Sequence, residues 1–197
     1  MIKKRVGVLI SGRGSNMRAL VEASREPAYP AEIIFVASNK ADAGGLTFAR
    51  ENNIATAVIS HKDYATREAF DAALNLELQK HNLDLICCAG FMRIMTPVLI
   101  KPWVGQMLNI HPSLLPLYKG LHTHERALAD GAKTHGASVH FVNEELDSGE
   151  VILQAQVPVY PDDTADTLSQ RVLGVEHDLY VNALKHVASG QVHAKAS

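Results

Sequence analysis

The feature that most constrains this chain is a repeated alternation of short, wholly apolar runs with longer stretches of helical period. Residues 6–10, 33–37 and 85–89 are continuous apolar runs, and 107–110 is a fourth with Asn109 set into it. Runs of this kind suit strands covered on both faces. Between them the spacing predicts helices over 17–26, 45–52 and 66–81, the third with Phe70, Leu74 and Leu78 at i, i+4 and i+8 on one face. Strand, helix, strand, repeated, predicts a Rossmann-like α/β fold: a mostly parallel sheet with helices on both faces. The pattern changes after residue 134. Extended candidates at 138–142 and 151–159, separated by the turn Asp147-Ser148-Gly149, predict a C-terminal antiparallel extension. A last helix over 164–188 carries Leu168, Val172, Val175 and Leu179 on one face. With no linker, repeat or low-complexity tract, residues 1–197 are expected to form one domain.

Composition removes several classes. The chain is 47% hydrophobic and 20% charged with a formal net charge of −2, which argues against a generic nucleic-acid surface. The one dense basic run, Lys3-Lys4-Arg5, is expected to be a solvated lead-in to the first strand. No apolar stretch approaches the roughly 20 residues of a membrane span, and residues 1–10 are not expected to act as a signal peptide. Cys87 and Cys88 are adjacent within an apolar run. They fit neither a disulfide framework nor metal spacing, which points to a reducing, cytoplasmic setting.

The loop Ser11-Gly12-Arg13-Gly14-Ser15-Asn16 follows the first strand and opens the first helix. Glycines let backbone approach a ligand closely, and the free N–H groups of a helix start attract phosphate. Met17 stands where a dinucleotide fingerprint needs its third glycine, and no Lys-Ser/Thr ending makes a P-loop. The loop therefore fits a monophosphate better than a dinucleotide. Its structural alternative is a tight turn with Ser15 or Asn16 as helix N-cap.

The most informative segment is Leu108-Asn109-Ile110-His111-Pro112-Ser113-Leu114-Leu115-Pro116. Residues two apart on a strand share a face, so Asn109 and His111 project together. They do so at the C-terminal end of a central strand, where open α/β sheets hold ligands. An amide beside an imidazole can polarise a carbonyl and stabilise an oxyanion. The alternative is a buried pair that only fixes the chain reversal. Ser113 as a nucleophile lacks the Gly-x-Ser-x-Gly elbow and is expected to bond the backbone of its own turn. His122-Thr123-His124 lacks any supporting metal set and reads as a loop and helix start. Asp147 alone is a turn residue as readily as a catalytic one. His140 is either a core histidine or a neighbour of the site.

Together these blocks resemble the phosphoribosylglycinamide formyltransferases, folate-dependent enzymes of purine synthesis. The resemblance runs the length of the chain. It includes the glycine loop, Ser38-Asn39-Lys40-Ala41-Asp42-Ala43, Ala89-Gly90-Phe91-Met92-Arg93-Ile94, the Asn109 block, Gly120-Leu121-His122-Thr123-His124, Gly136-Ala137-Ser138-Val139-His140-Phe141-Val142 and Glu145-Leu146-Asp147-Ser148-Gly149. It implies 10-formyltetrahydrofolate as co-substrate, no metal, and Asn109, His111 and Asp147 as catalytic residues. Gly14, Ser15 and Asn16 would hold the substrate phosphate and Glu176 its ribose hydroxyls. Arg67, the stretch Met92, Arg93, Ile94 and Met95, and Asn143, Glu144, Glu145, Leu146 and Asp147 would bind the folate together with Asn109. Residues 1–105 would then be the phosphate-binding half and 106–197 the catalytic and folate-binding half. Ser148 and Glu150 stand where glycine and proline are commoner, which bears on loop geometry.

The expected chemistry is direct attack of the substrate amine on the formyl carbon. Asn109 and a protonated His111 would stabilise the oxyanion, and Asp147 would raise the His111 pKa and shuttle the proton. The segment 114–130, flanked by prolines and glycines, is a candidate lid. Small-molecule substrates and a monomer or homodimer are expected, with no nucleic acid or membrane partner. The rival readings are formyltetrahydrofolate hydrolase and methionyl-tRNA formyltransferase, whose families carry a further domain, and a non-catalytic nucleotide-binding module.

Overall fold

The structure, a computed structural model, describes residues 2–194. In chain order the elements are β1 (Lys4–Ile10), α1 (Ser15–Ser24), β2 (Ala31–Ser38), α2 (Gly44–Glu51), β3 (Ala55–Val58), α3 (Arg67–Gln79) and β4 (Leu85–Cys88). There follow α4 (Pro97–Ile100), β5 (Met107–His111), α5 (Thr123–Ala129), β6 (Thr134–Phe141), β7 (Val151–Pro158) and α6 (Ala165–Ala188). The strands form one sheet in the order β3-β2-β1-β4-β5-β6-β7. Neighbours from β3 to β5 run parallel, and β6 and β7 add antiparallel to them. This is the expected Rossmann-like sheet with its antiparallel extension.

Alternation along β1 divides the core. Val6, Val8 and Ile10 face a cluster with Met17 and Leu20 of α1, Leu46 of α2 and Leu168, Val172 and Tyr180 of α6. Leu9 faces the opposite cluster, with Phe70, Leu74 and Leu78 of α3 and Trp103. Each such side chain contributes roughly 1.5–3 kcal/mol by leaving water, so both sheet faces need their helices. The Tyr180 hydroxyl lies 3.1 Å from the carbonyls of both Cys88 and Leu108 and pins α6 across β4 and β5. Among the described residues no helix is long and apolar enough to cross a membrane.

The topology places the site. Strand order reverses between β1 and β4, and the loops that follow these two strands open side by side at the carboxyl edge, where such sheets bind ligands. One strand was not expected, and two local expectations are corrected. β3 has no apolar run, being a half-exposed edge strand, and β6 starts four residues before the expected 138, because His135 and Gly136 pair with Val157 and Gln156. The basic run does more than lead in. Lys3 Nζ donates to the Ser24 and Glu26 carbonyls at the end of α1, and Arg5 donates to the carbonyls of His81 and Asn82.

Candidate active site

Asn109 and His111 project from the same face of β5, and the antiparallel register sets them opposite His140 and Ser138 of β6. His111 is buried, 6% exposed, with Nε2 2.9 Å from the Tyr118 carbonyl. A carbonyl only accepts, so Nε2 carries the hydrogen. Its Nδ1 lies 3.4 Å from Asp147 Oδ2. The expected rise in the His111 pKa is not found. Burial pushes it below its ordinary value, and the Tyr118 carbonyl and Asp147 charge oppose this without overcoming it, while His140 and Arg126 add to the lowering. Both ring nitrogens of His111 thus face acceptors, Nε2 the Tyr118 carbonyl and Nδ1 the Asp147 carboxylate, against the cost of burial.

The carboxylate is weak support for His111 because it is shared. Asp147 Oδ2 also accepts the Gly120 N–H at 2.9 Å, and Oδ1 lies 3.7 Å from His140 Nε2. Burial raises the Asp147 pKa, but His140, the Gly120 N–H and the His111 charge outweigh it and leave the carboxyl below the usual range. Its backbone sits at φ 48°, a left-handed conformation that aspartate tolerates better than most residues.

His140 settles one open reading. Its ring is 2% exposed, and Nδ1 donates to its neighbouring Phe141 carbonyl at 2.8 Å. Nε2 is thus the acceptor, and it meets Asn109 Nδ2 at 3.2 Å. That contact decides which end of the Asn109 side chain is the amide nitrogen and leaves its second N–H to donate elsewhere. His140 is both a core histidine and a neighbour of Asn109 and Asp147. Its two-residue offset from Ser138 was the only sequence signal for this, and the β5–β6 register completes it.

Ser113 is no nucleophile: its hydroxyl donates to the Leu117 carbonyl at 2.6 Å, inside its own turn. Ser138 accepts the Leu115 N–H and donates to the Ser113 carbonyl, holding that turn against β6. His122 and Thr123 form the start of α5, as expected.

The glycine loop lies across the sheet edge. Gly14, at φ 72°, is the N-cap of α1, and no side chain caps the helix. Ser15 and Asn16 are in its first turn, so neither is the N-cap of the structural alternative. The turn carries no acidic residue, and its N–H groups remain available to an anion. Asn16 Nδ2 donates to Glu176 Oε2 at 2.7 Å, and Asn16 Oδ1 is buried with no protein partner among the described residues. Burial raises the Glu176 pKa despite that bond. The loop and α6 thus bring together Gly14, Ser15, Asn16 and Glu176.

On the other side of the switch point, Met92 and Ile94 are 62% and 58% exposed and flank Arg93, whose guanidinium lies 5.8 Å from the Phe70 ring centre. Thr96 donates its N–H to the buried Asp71 carboxylate at 2.5 Å, tying Met95 and Thr96 to α3. Arg67 is exposed at the start of that helix, one turn before Asp71. Asn143, Glu144, Glu145 and Leu146 form the exposed loop from β6 toward β7. Its Glu145 and Ser148 side chains both contact Lys119, and Glu144 lies 3.8 Å from Lys101. The Lys119 bond gives Ser148 a local use and leaves Asp147 facing the histidines. Sequence reasoning missed the backbone groups of Tyr118 and Gly120, which no residue type announces.

The formyl transferase family profile matches residues 4–184. The chain belongs to the formyl transferase family. It is 46% identical over 185 residues to the phosphoribosylglycinamide formyltransferase of Escherichia coli strain K12, covering 94% of this chain and 87% of that one. It is 50% identical over 190 residues to the trifunctional purine biosynthetic protein adenosine-3 of Homo sapiens, covering 96% of this chain and 19% of that one. Across such trifunctional relatives the chain spans 14–19% of their length. Among solved structures, phosphoribosylglycinamide formyltransferase from Brucella melitensis matches with TM-score 0.90 and 50% identity, over 98% of this chain and 100% of that one. Glycinamide ribonucleotide transformylase 1 from Symbiobacterium toebii matches with TM-score 0.95 and 41% identity, over 98% and 92%. Family membership fits the placement of polar side chains at the end of β5.

Proposed function

We propose that the chain transfers the formyl group of 10-formyltetrahydrofolate to the amine of N1-(5-phospho-D-ribosyl)glycinamide, in de novo purine (IMP) biosynthesis. The observation that carries this reading is the convergence of Asn109, His111, His140 and Asp147 at the end of β5. The uncapped start of α1 takes the phosphate, and Glu176 with Asn16 takes the ribose hydroxyls. The apolar side chains of Met92, Ile94 and Leu146 and the polar backbone around Arg93, Met95 and Asn143 suit a flat heteroaromatic ring. Arg67 supplies a cation for the acidic folate tail.

In the transfer, the amine nitrogen bonds to the formyl carbon, and the bond from that carbon to the folate nitrogen breaks. The free N–H of Asn109 and Nε2–H of His111 donate to the oxygen on which negative charge develops. Removing one such donor typically costs about 3–4 kcal/mol of transition-state stabilisation. Asp147, ionised, accepts the proton the amine gives up and passes it, directly or through water, to the leaving nitrogen. The Tyr118 carbonyl must leave Nε2 for the oxyanion to replace it, which makes segment 114–130 the moving part.

Residues 1–105 and 106–197 act as phosphate-binding and catalytic halves of one domain, interlocked where Asn16 meets Glu176. The protein works in the cytoplasm as a monomer or homodimer on small molecules, without nucleic acid or membrane; the free, buried Cys87 and Cys88 and the mild net charge support that setting. The test is incubation with 10-formyltetrahydrofolate, with and without the ribonucleotide. Tetrahydrofolate release that requires the ribonucleotide is the expected result; release without it selects a formyltetrahydrofolate hydrolase instead.

A further inference from the structure

The block Ser38-Asn39-Lys40-Ala41-Asp42-Ala43 has no part in the chemistry above, yet Asn39 is 3% exposed and has a polar contact at each end of its amide. Ser11, at the end of β1, donates its hydroxyl to Asn39 Oδ1 at 2.6 Å and accepts the Met92 N–H at 2.8 Å. Asn39 Nδ2 in turn lies 3.2 Å from His61 Nδ1. The Ser11 N–H donates to the Gly90 carbonyl at 3.1 Å. The β1–β4 ladder ends at Leu9 and Cys88, with one more bond from the Ala89 N–H to the Leu9 carbonyl. Beyond that point, Ser11 ties the chain that becomes the glycine loop to the chain that becomes the 92–95 segment.

The chain of bonds is directional. A serine hydroxyl has one hydrogen, and Asn39 takes it, so the Met92 N–H can be met only by the lone pairs left on Oγ. Asn39 therefore aims the Ser11 hydroxyl, and Ser11 holds Met92. The same loop is braced from α2, whose Gly45 N–H donates to the Gly12 carbonyl at 3.1 Å.

We infer that Ser11 and Asn39 are positioning residues that set the spacing between the phosphate-holding loop and the folate-lining segment. This rests on the reading of those two segments given above. Two bound substrates react only when their atoms are held about 3–3.5 Å apart, and a slip of about 1 Å can cost roughly 100-fold in rate. Neither side chain needs to touch a substrate to set that distance.

The test is steady-state formyl transfer by the unmodified protein, Ser11→Ala, Asn39→Ala and the double variant. Each single variant should lose about 10- to 100-fold in kcat while either KM moves less than about threefold. The double variant should be no more than about threefold worse than the poorer single, because the bonds act as one unit. Single variants within about twofold of the unmodified kcat, or losses that multiply in the double, overturn the inference. Amide hydrogen exchange at Met92 of the unmodified protein gives a second measurement that depends on no variant folding. Protection of at least about 100-fold supports the Ser11 bond, and exchange at the rate of an open loop overturns it. Absence of turnover by the unmodified protein would remove the functional reading, and this inference with it, whereas normal turnover insensitive to both side chains removes this inference alone.

Discussion

At the end of β5 two histidines flank one carboxylate, and each ring donates to a backbone carbonyl from its other nitrogen, His111 Nε2 to Tyr118 and His140 Nδ1 to Phe141. Burial holds the His111 pKa below its usual value against the pull of Asp147. Asp147→Asn removes that pull, so the His111 pKa should fall further and the acidic limb of the pH–rate profile should move to lower pH. An NMR titration of the His111 ring in both proteins checks the sign, and a rise in the variant would contradict it. His140→Phe keeps a buried ring but removes the acceptor that orients Asn109. It should lower kcat by about tenfold through loss of a preorganised donor, with smaller changes in KM. The placement of Asn109 and His111 on one face was legible from two positions on one strand. The lowered His111 pKa was not, because it depends on burial and on carbonyls that carry no letter of their own.

Elements were legible where they are buried on both faces. The runs at 6–10, 33–37 and 85–89 became β1, β2 and β4 because both core clusters require unbroken apolar strands. β3 escaped notice because an edge strand needs no such run, and the first half of β6 did because His135 and Gly136 resemble a loop. His135 is a buried polar residue of that strand. Its ring is 1% exposed, with ring centres 5.1 Å from His124 and 5.7 Å from Tyr118. Burial and the nearby His124 push its pKa down to about 4, and neither ring nitrogen has a hydrogen-bond partner among the described residues. The unfolded chain binds this proton near pH 6.5, so stability present above that pH is lost as pH falls toward 4, by about 3 kcal/mol in total. Thermal unfolding from pH 7 to 5 should show a falling midpoint, and His135→Phe, which keeps the ring contacts, should flatten it. At the start of α1, Gly14→Ala forces a side chain into φ 72° and places its Cβ 3.2 Å from Gly45 Cα. It should cost about 1–2 kcal/mol of stability by urea unfolding and weaken ribonucleotide binding.

Over the whole molecule, the parallel sheet delivers two loops to one edge, and the antiparallel extension delivers the third side. Asn16 and Glu176 are 160 residues apart in sequence and 2.7 Å apart in the fold. Family resemblance implied only that both serve one substrate, and no local pattern announced their contact, since one lies in a glycine loop and the other in the middle of a long helix. Glu176→Gln should raise the KM for the ribonucleotide by about tenfold and leave the folate KM within about twofold, as expected when a charged hydrogen bond to one ligand is weakened. Equal effects on both would place Glu176 outside the ribose site. The initial rate of tetrahydrofolate release at saturating concentrations of both substrates, compared between the unmodified protein and Asn109→Ala, tests the assembled site most directly. The account predicts a loss of about 100- to 1,000-fold with ribonucleotide affinity unchanged within about threefold; an unchanged rate would contradict it.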